Sequence, residues 1–448
     1  MARDASLGTI VKISPNMGTP VGWYFILKPF ASLGFPFGAQ QALTLILIWA
    51  AVAILIFQGP FSILISTCWC LSWYLSFEYS VMSRNYTVGI LGVFALLGSY
   101  SRRAPSRLSG FQWWASWPLI VFSSVHFLAL APGLVALSYL LGKRFAPSDA
   151  RLVVKHLWPT LLITLSIWIL WPTGHGQMGA KLTNFFELVN LWHAVSLGVF
   201  PFLSVEGVSR FVTPLFVFCW FLVCRCGVKE TISFALMMAG VNAVFVFTYF
   251  NHSLRHCGIN WIILIGVAWV GLLKARQGQI PAARERRFII SLALVAVTLL
   301  NISDVTKRWK KEIQYPFTDA GATARYLIDN DLIREPIVCR LAPLCSSILG
   351  YIPTPTRFWY PGINQWGTHM FWDRSYALSF SLSVEQGFSR GKDFLRGIEG
   401  LSTFLFLSNE SISNPGALGL TKIWESPRKA WGIHDERFVV YRWQSASP

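Results

Sequence analysis

Apolar runs separated by short basic loops leave this chain few folds. They cover about residues 41–58, 61–77, 87–100, 155–172, 210–224, 231–249, 259–274 and 287–303. A helix needs about 20 residues, with a range of about 17 to 25, to cross a bilayer. Several of these runs are therefore short and need neighbours or flanking residues to complete them. The stretch 113–141 is too long for one simple helix and carries Pro132-Gly133 in its middle. It reads as two short crossings, because a single one would put the basic loops 101–107 and 143–155 on opposite sides. Only 13% of the chain is charged and 54% is hydrophobic, against roughly 25% charged in soluble domains. The expected fold is thus an α-helical polytopic membrane protein with about 10 transmembrane helices.

The formal charge of +17 does not imply nucleic acid. Lys and Arg sit in loops between apolar runs, where topology and anionic membrane lipids account for them, and no single domain shows a contiguous basic face. Arg102, Arg103 and Arg107, then Lys143, Arg144, Arg151 and Lys155, then Arg225 and Lys229, and finally Lys274, Arg276, Arg284, Arg286 and Arg287 all favour the cytoplasm. The crossings alternate correctly when 1–40, 79–86, 173–207, 250–258 and everything after 304 lie outside. Trp113, Trp114, Trp117, Trp158, Trp168 and Trp171 near segment ends fit interfacial belts.

Three regions follow. Residues 1–40 form an extracytoplasmic loop, Met1 to Pro20, and an interfacial helix with Trp23, Tyr24 and Lys28. Residues 41–303 form the transmembrane domain, within which 173–207 suits a surface or re-entrant loop. Residues 304–448 hold no spanning run and alternate helix-like stretches (320–329, 392–400) with strand-like ones (336–341, 357–360, 402–407, 437–443). That alternation predicts a small extracytoplasmic α/β domain, in which Cys339 and Cys345 either form a disulfide or remain two buried thiols. An outside N-terminus carrying Arg3, Lys12 and Lys28 against Asp4 runs against the charge rule, so a further helix upstream of Met1 is expected.

Polar residues interrupt the apolar pattern at places where charge costs from about 2.5 kcal/mol upwards. Phe77-Glu78-Tyr79-Ser80-Val81-Met82-Ser83-Arg84-Asn85-Tyr86 is the most marked interruption. Glu78 and Arg84 are six apart and would face away from each other on one straight helix, so they meet only where the chain turns. Either Arg84 holds an anionic head group with Glu78 as partner or acid/base, or the two form an ion pair closing a buried turn. Asn251-His252-Ser253-Leu254-Arg255-His256 is an anion site, a proton relay or a solvated loop. Trp366-Gly367-Thr368-His369-Met370-Phe371-Trp372-Asp373-Arg374 is a sugar-stacking surface or a core edge. His126 and His156 read as packed or interfacial. No phosphate loop, zinc-protease or serine-hydrolase signature is present.

Three stretches together resemble the GT-C superfamily of membrane glycosyltransferases, in a bacterial form using polyprenyl-phosphate-linked sugars. Gly18-Thr19-Pro20-Val21-Gly22-Trp23-Tyr24 resembles the family's His-Pro-x-Leu-Trp-Tyr segment; Glu78 to Tyr86 resembles Glu-Tyr-Ser-Val-x-x-Arg-x-Tyr; and Ser253 to Gly258 resembles a later Arg-His-x-Gly segment. The resemblance implies an integral protein of the bacterial inner membrane that moves a sugar from a polyprenyl-phosphate donor to a glycan, lipid or protein acceptor at the outer face. It implies that Arg84, Tyr86, Arg255, His256, Trp23 and Tyr24 bind substrate, with Arg84, Arg255 and His256 compensating the phosphate leaving group and Glu78 in support. A divalent cation serves part of the superfamily, and no cluster in this sequence demands one. Family members carry their catalytic base in an acidic first outer loop just ahead of an Ala-Arg-Asp segment. Here Ala2-Arg3-Asp4 matches only the tail of that stretch, and Thr19 stands where the family often has His. The base is therefore expected upstream, which leaves open whether the chain as given is active. The rival readings are a non-catalytic transporter or lipid flippase, and a structural subunit for a partner enzyme; the first predicts an inverted repeat, and the sequence shows none.

Overall fold

The computed structural model describes residues 3, 5–17, 20–81, 85–101, 106–142, 149–170, 195–201, 206–247, 254–278, 283–315, 318–352, 356–368, 381–397, 399–427 and 437–445. The chain is mostly helical up to Gln314. Its helices are α1 (Leu7–Met17), α2 (Gly22–Ser32), α3 (Gly38–Gln58), α4 (Ile63–Leu71), α5 (Tyr86–Ser101), α6 (Arg107–Val121), α7 (Val125–Gly142), α8 (Asp149–Leu170), α9 (Glu206–Cys224), α10 (Val228–Phe247), α11 (Leu254–Arg276) and α12 (Ala283–Gln314). A wide π turn, Tyr74–Glu78, follows α4.

Among the described residues, four stretches are long and apolar enough to cross a membrane: Gly38–Gln58, Val125–Gly142, Arg255–Arg276 and Arg284–Gln314. Shorter apolar stretches lie at Tyr86–Ser101, Lys155–Leu170 and Val212–Cys224. The protein is therefore a helical membrane protein, with fewer evident spans than the sequence pattern suggests. The difference is one of length, since α4, α5 and α6 have 9, 16 and 15 residues. Residues 256–275 of α11 are buried throughout, so its neighbours close around it. Elsewhere the bundle turns outward Trp49 and Phe57 on α3, Trp168 on α8, Phe218 on α9 and Leu299 on α12, all well exposed. Apolar surface of that extent needs lipid to cover it.

Several expectations change. Residues 7–17 form a helix rather than part of a loop, since Ser6 accepts the Thr9 amide at 3.1 Å and its carbonyl accepts that of Ile10, whose side chain is buried with Ala5 and Val21. The break within 113–141 falls at Phe122–Ser124, not at Pro132-Gly133. Ser123 folds back onto the Ile120 carbonyl while Ser124 accepts the Phe127 amide, ending one helix and starting the next. Pro132 stays inside α7. Of residues 173–207, described residues 195–199 form a buried helical turn, with Gly198 against the Cys257 carbonyl and Asn260; for that piece the re-entrant alternative fits and the surface one does not. Trp113 and Trp117 are core residues rather than belt, the Trp113 indole bonding the Tyr100 and Ser138 hydroxyls. His156 joins the same network through Ser138 at 3.0 Å.

After α12 the chain builds a mixed sheet from β1 (Ile337–Cys339), β2 (Phe358–Tyr360), β3 (Gln365–Gly367), β4 (Thr403–Ser408), β5 (Leu420–Glu425) and β6 (Val439–Gln444), in the order β3-β2-β1-β4-β6-β5. β2, β1 and β4 run parallel, which requires crossovers. α13 (Ala320–Asp329) and α14 (Ala342–Leu349) cover one face, packing on Ile337, Cys339, Leu405 and Leu407. The other face, with Val338, Trp359, Phe404 and Phe406, packs under α15 (Val384–Gly397). The two-residue alternation along β4 thus feeds two cores. α15 replaces the helix expected at 392–400. It starts early because Ser383 accepts the Gln386 amide at 3.2 Å, and it ends before Gly400, which adopts φ +67°.

Cys339 and Cys345 are disulfide-bonded, tying the end of β1 to α14 across 6 residues. A loop this short contributes about 2 kcal/mol through chain entropy. Cys345→Ser is expected to lower the thermal midpoint of this domain by about 5 °C, and reductant should lower the wild-type midpoint by as much while leaving the variant unchanged. Equal midpoints for wild type and variant would show that the bridge contributes nothing.

Candidate functional site

At one end of the bundle, the π turn and the first turns of α5, α7 and α11 converge. The π turn is closed by the Tyr79 amide on the Tyr74 carbonyl at 2.9 Å, and such widened turns recur at functional sites. Tyr74, Tyr79 and Tyr86 form a succession of rings, with centroids 5.9 Å and then 5.6 Å apart. Each phenol is held at its far end. Tyr74 donates to the Leu197 carbonyl, Tyr79 donates to the Arg255 carbonyl at 2.7 Å, and Tyr86 lies 2.9 Å from His256 Nδ1. The His126 ring packs 4.5 Å from that of His256 and 6.1 Å from that of Tyr86.

Arg255 Nε lies 3.5 Å from His256 Nε2. The Arg255 Nε–H is aimed at Nε2, so Nε2 accepts, while Nδ1 carries the ring proton and donates to the Tyr86 hydroxyl. His256 thereby orients the guanidinium, whose two terminal nitrogens are left to meet an anion.

The backbone must come close for this to form. A Cβ at Gly258 would lie 2.2 Å from the Tyr74 ring and 2.6 Å from the Tyr79 hydroxyl. Gly258→Ala is expected to cost about 1–3 kcal/mol and to disturb both tyrosines. A lowered melting midpoint in detergent should accompany changed tyrosine fluorescence, and a midpoint equal to wild type would contradict the close packing.

Glu78 ends the π turn, half-buried, and lies near enough to Tyr74, Tyr79 and Arg308 to act on them electrostatically. Arg308, near the far end of α12, sits over the Trp73 ring at 5.1 Å, and the next residue, Trp309, meets Phe77 edge-on at 5.6 Å. Neither Arg308 nor His126 stood out in the sequence as a site residue. Arg308 lies in the run Lys307-Arg308-Trp309-Lys310-Lys311, where it looks like one more solvated base, and only the fold brings it to Glu78.

Other expected residues lie elsewhere. Trp23 is buried against Leu27 and Val88, and Tyr24 packs with Val21 and Phe122. Among the described contacts neither joins the tyrosine–histidine cluster, because α2 lies on the outer side of α5 and α6, where Leu119 and Leu43 also pack. Arg84 lies outside the described residues, as do Asn251, His252, Ser253 and 369–374. Trp366, on β3, donates its indole N–H to Glu399 at 3.0 Å at the exposed sheet margin. Among the described residues no group of three or more His, Cys, Asp or Glu could hold a metal ion.

The sheet domain and the N-terminal segment touch. Phe37, just before α3, packs on Tyr351 at 5.1 Å, and Arg3 donates to the Ile352 carbonyl at 2.6 Å. Lys28 in turn holds the Arg3 and Ala5 carbonyls at 3.2 and 2.8 Å. The opposite end of the bundle carries the buried ion pair Lys274–Glu230 at 2.5 Å, together with Arg225 and Arg286. Compared with family models, with characterised proteins and with solved structures, the chain finds no match.

Proposed function

We propose that this chain is a membrane glycosyltransferase that takes its sugar from a polyprenyl-phosphate donor. The observation that carries the reading is Arg255, whose carbonyl accepts from Tyr79 and whose Nε–H donates to His256 Nε2, the imidazole itself being held by Tyr86. A guanidinium oriented in this way offers its two terminal nitrogens to two oxygens of one phosphate. Charge builds on that phosphate as the glycosidic bond breaks, and preorganised donors in a site of low dielectric stabilise it. Arg308, attracted by Glu78, adds a second positive group on the α12 side, and Arg84 is assigned to the same anion by its place in the motif. Glu78 acts through Arg308 and is a positioning residue. No step is routed through a cation.

Ten crossings fit the arrangement, with α3, α4 plus the π turn, and each helix from α5 to α12 crossing once. The tyrosine–histidine end and the sheet domain then share the outer face of a bacterial inner membrane, and the sheet domain stands where an acceptor would arrive. A disulfide in that domain agrees with an oxidising compartment.

The test is to incubate the purified protein with labelled polyprenyl-phosphate sugars and candidate acceptors. Transfer or donor hydrolysis that disappears on Arg255→Gln supports the reading. The absence of both activities would reject it and favour a transporter or a structural subunit.

A further inference from the structure

At the end of the bundle away from the tyrosine–histidine cluster, the first turn of α12 packs beside the last turn of α9. Arg286 is buried there, with 7% of its surface exposed, and its Nη1 has no hydrogen-bond partner. Arg287 follows it, and its Nε is buried and equally unpartnered. Arg225, at φ +42° just past α9, lies close enough to oppose the charge of Arg286. A guanidinium keeps its charge under all ordinary conditions and offers five N–H donors, so a covered one without an acceptor is costly. The protein supplies little relief among the described residues. Glu285 attracts Arg286 but is itself exposed and forms no ion pair with it, and the buried carboxylate of Glu230 is taken by Lys274 at 2.5 Å.

The surroundings indicate what completes the group. Leu222 on α9, Val228 at the start of α10 and Ile289, one turn after Arg286 on α12, are exposed, Val228 at 78%. Exposed apolar side chains on the elements that carry covered arginines at a helix-bundle end match a molecule with an anionic head and hydrocarbon tails. A soluble anion gains nothing from that apolar surface, whereas basic sites between transmembrane helices hold lipid head groups. We propose that Arg225, Arg286 and Arg287 hold the phosphate of an anionic phospholipid in the leaflet at this end, with its acyl chains against Ile289, Val228 and Leu222. The lipid would neutralise two like charges that the fold forces together and would fasten α9 to α12.

The experiment uses the full chain purified in a neutral detergent. Thermal midpoints are measured with phosphatidylglycerol, with phosphatidylcholine at equal concentration, and with inorganic phosphate, for wild type, Arg286→Gln, Arg286→Lys and Arg225→Gln. Phosphatidylglycerol is expected to raise the wild-type midpoint by about 2–5 °C, as a ligand bound only by the folded state does. Phosphatidylcholine should give little shift. Arg286→Gln and Arg225→Gln should lose most of the gain, and Arg286→Lys should keep part of it, since lysine offers a point charge in place of a fork. Should Arg286→Gln fail to fold, Arg225→Gln and Arg286→Lys carry the comparison. An undiminished gain in these variants, an equal gain with phosphatidylcholine, or protection by inorganic phosphate to which phosphatidylglycerol adds nothing would each overturn the proposal.

Discussion

Lys274→Met should destabilise the protein by about 3–5 kcal/mol, because it strands the Glu230 carboxylate in the bundle without its counter-charge. The pair is 2.5 Å apart, and each side chain is only 8% exposed. Glu230 sits in the first turn of α10 and Lys274 in the last turn of α11, each at the helix end whose dipole suits its charge. Gly227 leaves room beside them: a Cβ there would lie 2.5 Å from Glu230 Oε2 and 2.9 Å from Lys274 Nζ. Removing both charges is a different operation from removing one. Lys274→Met with Glu230→Met is expected to recover most of the loss, since an apolar pair of similar volume replaces a desolvated ion pair at little net cost. Midpoints of the single and double variants in detergent decide the matter. A double variant as unstable as the single one would mean that the pair acts through packing or through further partners of Glu230, not through a stranded charge.

What the sequence revealed and what it hid divide along physical lines. Apolar runs report directly on helices that must bury or face lipid, and α3, α5, α11 and α12 stand where such runs are. Helix ends are set by local hydrogen bonds that hydropathy does not register. Ser123 and Ser124 therefore placed a break that Pro132-Gly133 seemed to offer, and Ser6 started a helix in a segment read as loop. In the sheet domain the hydrophobic strands β1, β2, β4 and β6 were legible. β5 was not, because Leu420–Glu425 lies at the sheet edge with mostly exposed or half-buried residues, and edge strands lack the apolar signature.

The candidate site follows the same division. Glu78, Tyr86, Arg255 and His256 stood out as polar residues at apolar boundaries, and the fold brings Tyr86 and His256 within 2.9 Å. Trp23 and Tyr24 drew attention through a motif, and they pack with Val88 and Phe122, next to but not touching Tyr86 and His256 among the described contacts. His126 and Arg308 were concealed for opposite reasons, one alone in an apolar helix and the other among several bases. Their significance lies in which ring or carboxylate they meet, and that is a property of tertiary packing.

His256→Asn should cut sugar transfer by about 10²–10³-fold while leaving the fold intact. An asparagine amide reaches roughly the place of Nδ1, so it keeps a hydrogen bond to the Tyr86 hydroxyl and leaves no buried phenol stranded. It has nothing at the place of Nε2, so Arg255 loses the acceptor that orients it. Losing one preorganised donor to a developing oxyanion costs about 2.7–4 kcal/mol of transition-state stabilisation, which sets the size of the fall when the guanidinium is misplaced. His256→Gln makes the converse exchange, reaching the Nε2 position while giving up the bond to Tyr86, and should retain more activity with a lower melting midpoint. The ratio kcat/KM and the midpoint must be read together for both variants. The same activity in His256→Asn as in wild type would show that His256 does not position Arg255 and leave it a packing partner of Tyr86 and His126. A collapse of both activity and midpoint in His256→Gln alone would place its importance in the bond to Tyr86.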